Sequence, residues 1–259
     1  MQYLTFAALL VFSFLGNAQN TAVSMNETLR FTAAYNMSGI MTDIAELTME
    51  TRPVKTSKAT LLRLKCTATT YSKWDTFFKI RDLYESYVHP TTLQPYLYKR
   101  DINEGGYYKF MQYTFLKKTN TVQSLKKKRR GDGSIWEEKK VITIGKHTQD
   151  IVSTLYGIRN LDLESAQIGQ TYPLTVIFDN LEYHITLSYQ GQEIRTTKLG
   201  TKNCHKLGIT IKNSQVLKGA QNNLIWLTAD ANKIPVYAKF KIAVGNGELK
   251  LNAASGLKN

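Results

Sequence analysis

The stretch Leu-Glu-Tyr-His-Ile-Thr-Leu-Ser-Tyr, residues 181–189, decides the fold class of this 259-residue chain. Its odd-numbered positions are apolar or aromatic, and its even-numbered positions are polar. Successive side chains of an extended strand point to opposite sides, so this period of two predicts a half-buried strand. Residues 29–35 and 234–244 repeat the pattern, and turn residues such as Asp179-Asn180 stand between the rows. The chain is therefore predicted to be all-β.

Residues 172–253 are predicted to form a meander of about six antiparallel strands. The N-terminal half shows the same alternation with longer loops. Its predicted strands cover residues 28–37, 42–50, 58–70, 76–88, 96–101, 107–117, 121–129 and 135–144. So many strands favour a curved antiparallel sheet or a barrel-like architecture, because curvature and closure protect the edges of a sheet.

One segment departs from the alternation. In residues 148–160, Ile151, Leu155 and Ile158 fall at helical spacing, and Thr148 or Asp150 precedes them as a candidate N-cap. A short helix is therefore predicted near residues 148–158, between the two β-rich halves.

The first 18 residues carry no charged side chain, and an apolar run from Leu4 to Leu15 precedes the small residues Gly16 and Ala18. The run is too short to cross roughly 30 Å of hydrocarbon as a helix, but it suits a signal peptide. We therefore expect 1–18 to be cleaved and the protein to be periplasmic or secreted, without a lipid anchor. Residues 19–259 would form a single β domain of two halves, about 26–145 and 170–253.

The charge of the chain points to anionic partners. Lys and Arg number 34 against 20 Asp and Glu, which gives a formal net charge of +14. For an exported protein this favours contact with anionic lipid or glycan, and makes nucleic acid an unexpected partner. Five consecutive cations precede the turn at 131–134: Lys126, Lys127, Lys128, Arg129 and Arg130. They are interpreted either as a contact with an anionic membrane surface or as a solvated hairpin whose charges pair with Glu137 and Glu138.

The sequence allows two states for Cys66 and Cys204, a disulfide and a pair of free thiols. Outside the cytoplasm they could form a disulfide. However, Cys66 shares one phase of an alternating segment with Leu62 and Leu64, which is the pattern of a buried free thiol. The sequence favours the free state for both residues.

Signatures of catalysis are largely missing from the sequence. It contains no G-x-S-x-G elbow, no phosphate-binding glycine loop and no H-E-x-x-H, and its four histidines lie far apart. No metal and no cofactor are predicted. The weak catalytic candidates are the carboxylates Asp82, Glu85 and Glu104, because glycoside hydrolysis uses a pair of such groups. The alternative is that they pair with neighbouring arginines across the strands.

A polar and aromatic stretch around these carboxylates supplies candidates for ligand binding. Tyrosines commonly fill the rim of a core with the hydroxyl in water, and they also line grooves for sugars or acyl chains. The candidates for a ligand site are Tyr84, Arg100, Tyr107 and Trp226.

Five segments together resemble a known family. They are FFKIRDLYESYVHPTTLQPYLYKRDINEGGY (77–107), LYGIRNLDL (155–163), GQEI (191–194), IWLTADANKIPVYAKFKIAVGNGELKL (225–251) and GLKN (256–259). In this order they resemble the bacterial envelope family called domain of unknown function 3108, as found in Bacteroidetes. The resemblance implies an exported all-β protein, and it implies neither an activity nor a set of catalytic residues.

The preferred interpretation is a non-enzymatic envelope protein that binds a lipid, lipoprotein or glycolipid in a partly apolar concavity. A hydrolase acting on envelope glycans and a structural partner of an outer-membrane assembly are the alternatives. A deep apolar concavity would favour the first, a cleft lined by carboxylates the second, and a flat exposed patch the third.

Overall fold

The computed structural model describes residues 19–37, 39–211, 223–242 and 245–259. The predicted signal peptide and Val244, at the end of the third alternating row, lie outside the described residues. The N-terminal strands are β1 Thr28–Met37, β2 Ile40–Lys55, β3 Thr60–Thr70, β4 Arg81–Val88, β5 Pro95–Glu104, β6 Tyr107–Leu116, β7 Thr121–Arg129 and β8 Ile135–Thr143. The C-terminal strands are β9 Thr171–Phe178, β10 Leu181–Thr197, β11 Gly200–Ile211, β12 Leu224–Thr228, β13 Pro235–Ile242 and β14 Gly245–Ser255. Helix α1 is Ile151–Gly157, and Ser72–Trp74 and Ile158–Asn160 form short 3₁₀ turns.

All 14 strands belong to one antiparallel sheet in the order β8-β7-β6-β5-β4-β3-β2-β1-β14-β13-β12-β11-β10-β9. Each half of the chain is a meander, in which every strand pairs with its neighbour in sequence. The halves join at the centre, where β1 pairs with β14 from Thr28 opposite Ser255 to Tyr35 opposite Gly247. The prediction of an all-β fold with one short helix is confirmed.

The strand predicted over 76–88 begins later, at Arg81, because residues 70–81 form a compact loop. Thr70 donates a 2.6 Å hydrogen bond from its hydroxyl to Asp75 Oδ1, and Arg81 forms a 2.5 Å salt bridge with Asp75 Oδ2. These side-chain bonds stabilise the loop in competition with strand pairing, so β4 begins at Arg81 rather than at residue 76.

Helix α1 begins where Asp150 caps it. Asp150 Oδ1 accepts the backbone N–H groups of Val152 and Ser153, both at 2.9 Å, so two donors of the first turn are satisfied. The helix contacts β3, β4 and β9, and its buried side chains include Val152 and Tyr156. It therefore lies on the inner face of the curved sheet.

Two apolar clusters surround the segment that contains α1. Val152 and Tyr156 belong to the larger one, with Leu64 of β3 and Met111 of β6. The smaller cluster packs the residues just after the helix against the C-terminal strands, and its buried members are Ile158, Leu163, Leu187, Tyr189, Leu207, Ile225 and Leu227. The linking segment thus contributes to the core of both halves.

β8 and β9 are the two edge strands of the sheet, and no ladder joins them within the described residues. Residues 144–150, which follow β8, contact β9 instead. Gln149 donates its backbone N–H to Thr175 O at 3.0 Å and accepts that of Ile177 at 2.9 Å. The turn between β9 and β10 contacts the inner face of the N-terminal half, where Asn180 N donates to Tyr113 Oη at 2.8 Å. We call this junction the seam.

Candidate functional site

A cleft of about 760 Å³ lies at the seam. Three walls form it: the turn between β4 and β5, the turn between β6 and β7, and the segment that leaves β8. The lining residues are Thr92, Gln94, Pro95, Phe115, Leu116, Lys117, Asn120, Ile144, Gly145, Lys146, His147, Thr148 and Gln149. We call this feature the seam cleft.

Local hydrogen bonds hold the walls of the seam cleft in place. In the β4–β5 turn, Leu93 adopts a φ of 53° and donates its N–H to His89 O at 2.9 Å. Ile144 N donates to Asn120 O at 2.9 Å, which ties the segment after β8 to the β6–β7 turn. Glu182 of β10 accepts Gly145 N at 2.8 Å and also the Thr148 hydroxyl. The cleft is thus largely formed before any ligand arrives.

The seam cleft combines apolar and cationic side chains. Phe115, Leu116 and Ile144 supply apolar surface, while Lys117 and Lys146 supply positive charge. Lys117 Nζ lies 3.0 Å from Gln94 Oε1 and 4.1 Å from the centre of the Tyr96 ring. None of the described lining residues is a carboxylate, so the arrangement suits an amphiphile with an anionic head group.

A second group of polar residues is buried inside the N-terminal half. Tyr84 and Arg100 stand opposite each other on β4 and β5, and the Arg100 guanidinium lies 4.3 Å over the ring of Phe178. Asp179 forms ion pairs with Arg100 and with Lys109, the latter at 2.7 Å. Burial acts to raise the pKa of Asp179, but these two cations outweigh it and hold that pKa below its usual value.

The three candidate carboxylates do not share one site, although Asp82 and Glu104 interact. Asp82 lies on the inner side of β4, where it accepts Asn103 N at 3.0 Å, and burial raises its pKa to about 6. Glu104 is exposed, and its charge adds to this rise. Glu85 occupies the opposite face of β4 and lies 3.8 Å from Arg63, because positions three apart on a strand face opposite ways.

Asp150 and Cys66 meet in the interior beside α1. The Ser86 hydroxyl donates to Asp150 Oδ2 at 2.6 Å, yet burial raises the pKa of Asp150 to about 6. Burial, aided by the nearby Asp150 charge, raises the pKa of Cys66 to about 12. Both cysteines are free and buried, Cys66 on β3 and Cys204 on β11.

The remaining ligand candidates lie apart from Tyr84 and Arg100. Tyr107 is exposed at the β5–β6 turn. Trp226 packs 5.1 Å from Tyr237, and the guanidinium of Arg195 lies 4.6 Å over its ring. The described lining of the seam cleft contains none of the four ligand candidates, Tyr84, Arg100, Tyr107 and Trp226. Sequence reasoning did not predict this cleft. The available signal was the mixture of lysines with apolar residues in the β6–β7 turn and in the segment after β8.

The basic run lies on the β7–β8 hairpin, where opposite charges meet. Lys127 pairs with Glu137 at 3.1 Å, and Lys126 stands opposite Glu138 in the ladder. Arg129 lies 5.5 Å over the Tyr108 ring. Lys128 stands opposite Lys109 of β6, and Arg130 is exposed. Part of the charge of the run is therefore neutralised within the hairpin.

No group of three or more His, Cys, Asp or Glu residues in the described part of the chain is placed to hold a metal ion. Among the same residues, no helix is long and apolar enough to span a membrane.

The fold defines a class: an antiparallel, β-barrel-like sheet, open at one seam, with a short helix on its inner face. The chain belongs to the family described as protein of unknown function (DUF3108), whose model matches residues 30–252. A β-barrel-like protein of domain of unknown function DUF1849 from Brucella abortus is similar in fold. The likeness has a TM-score of 0.54 and 9% identity, covering 92% of this chain and 100% of that one.

A protein with a YmcC-like fold from Bacteroides fragilis NCTC 9343 also matches, with a TM-score of 0.33 and 9% identity over 90% of this chain and 97% of that one. No curated protein matches the chain. At 9% identity the likeness to the Brucella abortus structure concerns the fold alone.

Proposed function

We propose that this protein is exported and binds an anionic amphiphile, a lipid, lipoprotein or glycolipid, in the seam cleft without transforming it. The observation that carries the proposal is the lining of the cleft, where Phe115, Leu116 and Ile144 stand beside Lys117 and Lys146, and none of the described lining residues is a carboxylate. The uncharged apolar run in residues 1–18 supports export.

The acyl part and the head group of the ligand would contact different surfaces of the seam cleft. The acyl part lies against Phe115, Leu116 and Ile144, and each methylene removed from water there contributes about 0.8 kcal/mol. The acidic head group pairs with Lys117 and Lys146, which stand on two different walls. The ligand thereby bridges the β6–β7 turn and the segment after β8.

A hydrolase is the second candidate, and one observation favours it. Asp82 combines a pKa raised to about 6 with an electrostatic interaction with Glu104, and raised carboxyl pKa values are common in general acids. The binding proposal is preferred because neither residue is among those that line the seam cleft.

The test is lipid extraction and mass spectrometry of protein purified from its native host, followed by titration of delipidated protein with a fluorescent anionic fatty acid. Lys117→Gln and Lys146→Gln should each weaken binding about fivefold, the effect of one cation near an anionic group. Lys118→Gln is the matched control, since Lys118 is exposed in the same β6–β7 turn but does not line the cleft.

Equal affinity of all three variants and the wild type would refute the proposed site. Cleavage of an envelope glycan that is lost in Asp82→Asn and retained in Lys117→Gln would establish the hydrolase instead.

A further inference from the structure

Three neighbouring connections meet at one end of the N-terminal strands. The β1–β2, β3–β4 and β5–β6 connections share this end because the strands are antiparallel and consecutive. Trp74 Nε1 in the β3–β4 loop donates to Asp43 O of β2 at 2.9 Å. Gly105 N in the β5–β6 turn donates to Lys79 O of that loop at 2.9 Å. The loop is therefore held between its two neighbours.

Each of these connections exposes a large apolar side chain. Phe77 is 77% exposed, Ile40 71% and Tyr107 48%. Single exposed apolar residues are ordinary, but three on adjacent connections form a patch. We call Ile40, Trp74, Phe77, Phe78 and Tyr107 the aromatic tip.

The loop that carries Phe77 is preorganised. The Trp74 ring lies 6.0 Å from the ring of Phe77 and 6.4 Å from that of Phe78, with the latter pair stacked. The bonds of Asp75 to Thr70 and Arg81 close the base of the loop. Phe77 is thus presented to solvent by a fixed scaffold, so little ordering entropy remains to be lost on docking.

Charges of both signs surround the aromatic tip, and Asp43, whose backbone carbonyl accepts the Trp74 Nε1 hydrogen bond, is an exposed carboxylate on β2. Lys73 Nζ lies 5.5 Å over the Trp74 ring, and Lys79 is exposed at the other end of the loop. The loop carboxylate Asp75 is already paired with Arg81. Glu104 is an exposed carboxylate at the neighbouring turn. Aromatic side chains flanked by lysines match the interface of a bilayer with anionic head groups.

We propose that the aromatic tip docks on an anionic phospholipid bilayer, with Phe77 inserted among the acyl chains and Lys73 and Lys79 against the head groups. This surface is independent of the seam cleft. Two walls of that cleft are the β4–β5 and β6–β7 turns, at the opposite end of the same strands. When the aromatic tip contacts the bilayer, the seam cleft therefore lies at the end of the protein that faces away from the bilayer.

The experiment is flotation of the mature protein with vesicles of phosphatidylglycerol and phosphatidylcholine, compared with pure phosphatidylcholine. The wild type should float with the anionic vesicles only, and added salt should weaken binding by screening. Phe77→Ser should weaken binding about tenfold, and the Lys73→Gln/Lys79→Gln double variant by a similar or larger factor.

Ile168→Ser is the matched control, because Ile168 is 79% exposed in the segment before β9, outside the aromatic tip. Its binding should equal that of the wild type. The proposal is overturned if the wild type does not float with anionic vesicles, if Phe77→Ser binds normally, or if Ile168→Ser loses as much. Thermal melting of each variant separates lost binding from lost folding.

Discussion

The Arg159 guanidinium donates two hydrogen bonds to the Glu27 carboxylate, at 2.6 and 2.8 Å, and both side chains are fully buried. Two further donors of Arg159 bind Ala22 O at 3.0 Å and Asn232 O at 2.9 Å. One side chain thus ties together the segment before β1, the linking segment after α1 and the connection between β12 and β13. The buried charge of Arg159 is tolerated because the Glu27 carboxylate and two backbone carbonyls accept hydrogen bonds from the guanidinium.

Arg159→Met should lower the free energy of unfolding by about 3–5 kcal/mol, because Glu27 is left buried without a counter-charge. Adding Glu27→Gln should recover part of the loss, and urea denaturation of the two variants measures both effects. Lys139→Met is the control, since its pair with Glu137 is on the surface and Lys139 is 77% exposed. Its expected cost is below about 1 kcal/mol. Equal costs for Arg159→Met and Lys139→Met would contradict this account.

Asp150 should make stability depend on pH in a defined direction. Its folded pKa of about 6 lies above its ordinary value of 3.8, so the native state binds a proton that the unfolded state releases between these values. The free energy of unfolding should therefore fall as pH rises from about 4 to about 6. Asp82, whose pKa is raised to about 6, acts in the same direction.

Asp150→Asn should flatten this dependence, because it keeps an acceptor for Val152 N and Ser153 N but has no charge to bury. Urea denaturation at four pH values between 4 and 7 provides the comparison. Parallel curves for the variant and the wild type would show that Asp150 does not titrate in this range.

Asp179→Asn should destabilise the protein by about 1–3 kcal/mol, because Arg100 and Lys109 then lose their shared counter-charge. The backbone is not the cause, since asparagine tolerates the positive φ of 49° at this position. Asp132→Asn, in the exposed β7–β8 turn, should leave stability nearly unchanged, because asparagine keeps an acceptor for Ser134. Chemical denaturation of both variants distinguishes a loss of charge at the seam from a general effect of losing one carboxylate.

Cys66 and Cys204 should resist thiol reagents in the native protein and react in denaturant without prior reduction. Both are buried, and burial raises their pKa values to about 12 and about 11 respectively, so little thiolate is present at neutral pH. Mass spectrometry after alkylation counts the labelled residues. Labelling that appears only after a reductant is added would demonstrate a disulfide.

The local features of the fold were predictable from the sequence. The ends of β1 and β7 agree with the predicted ranges 28–37 and 121–129, because period-two alternation is read directly along the chain. Asp150, one of two candidate caps, is the N-cap of α1. The turn at Asp179-Asn180 was predicted too, since both residues tolerate positive φ.

The seam cleft was not predictable in the same way. Its walls come from residues 92–95, 115–120 and 144–149, which lie at the same end of the neighbouring strands β4 to β8, and periodicity does not show how these connections pack against one another. Periodicity likewise cannot tell that Arg195 covers the ring of Trp226, since that contact joins β10 to β12. Composition identified a basic, aromatic-rich chain, but the placement of its charges required the strand register.

The pairing of β1 with β14 has a kinetic consequence. Thr28 meets Ser255, so the central ladder of the sheet closes a loop of nearly the whole described chain. Closing so long a loop is entropically costly and slow, whereas the hairpins of each meander close over short distances. We expect the two meanders to collapse first and the middle of the sheet to form last. Until β14 arrives, the edge of β1 remains open to pairing with other chains, and aggregation during folding should begin there.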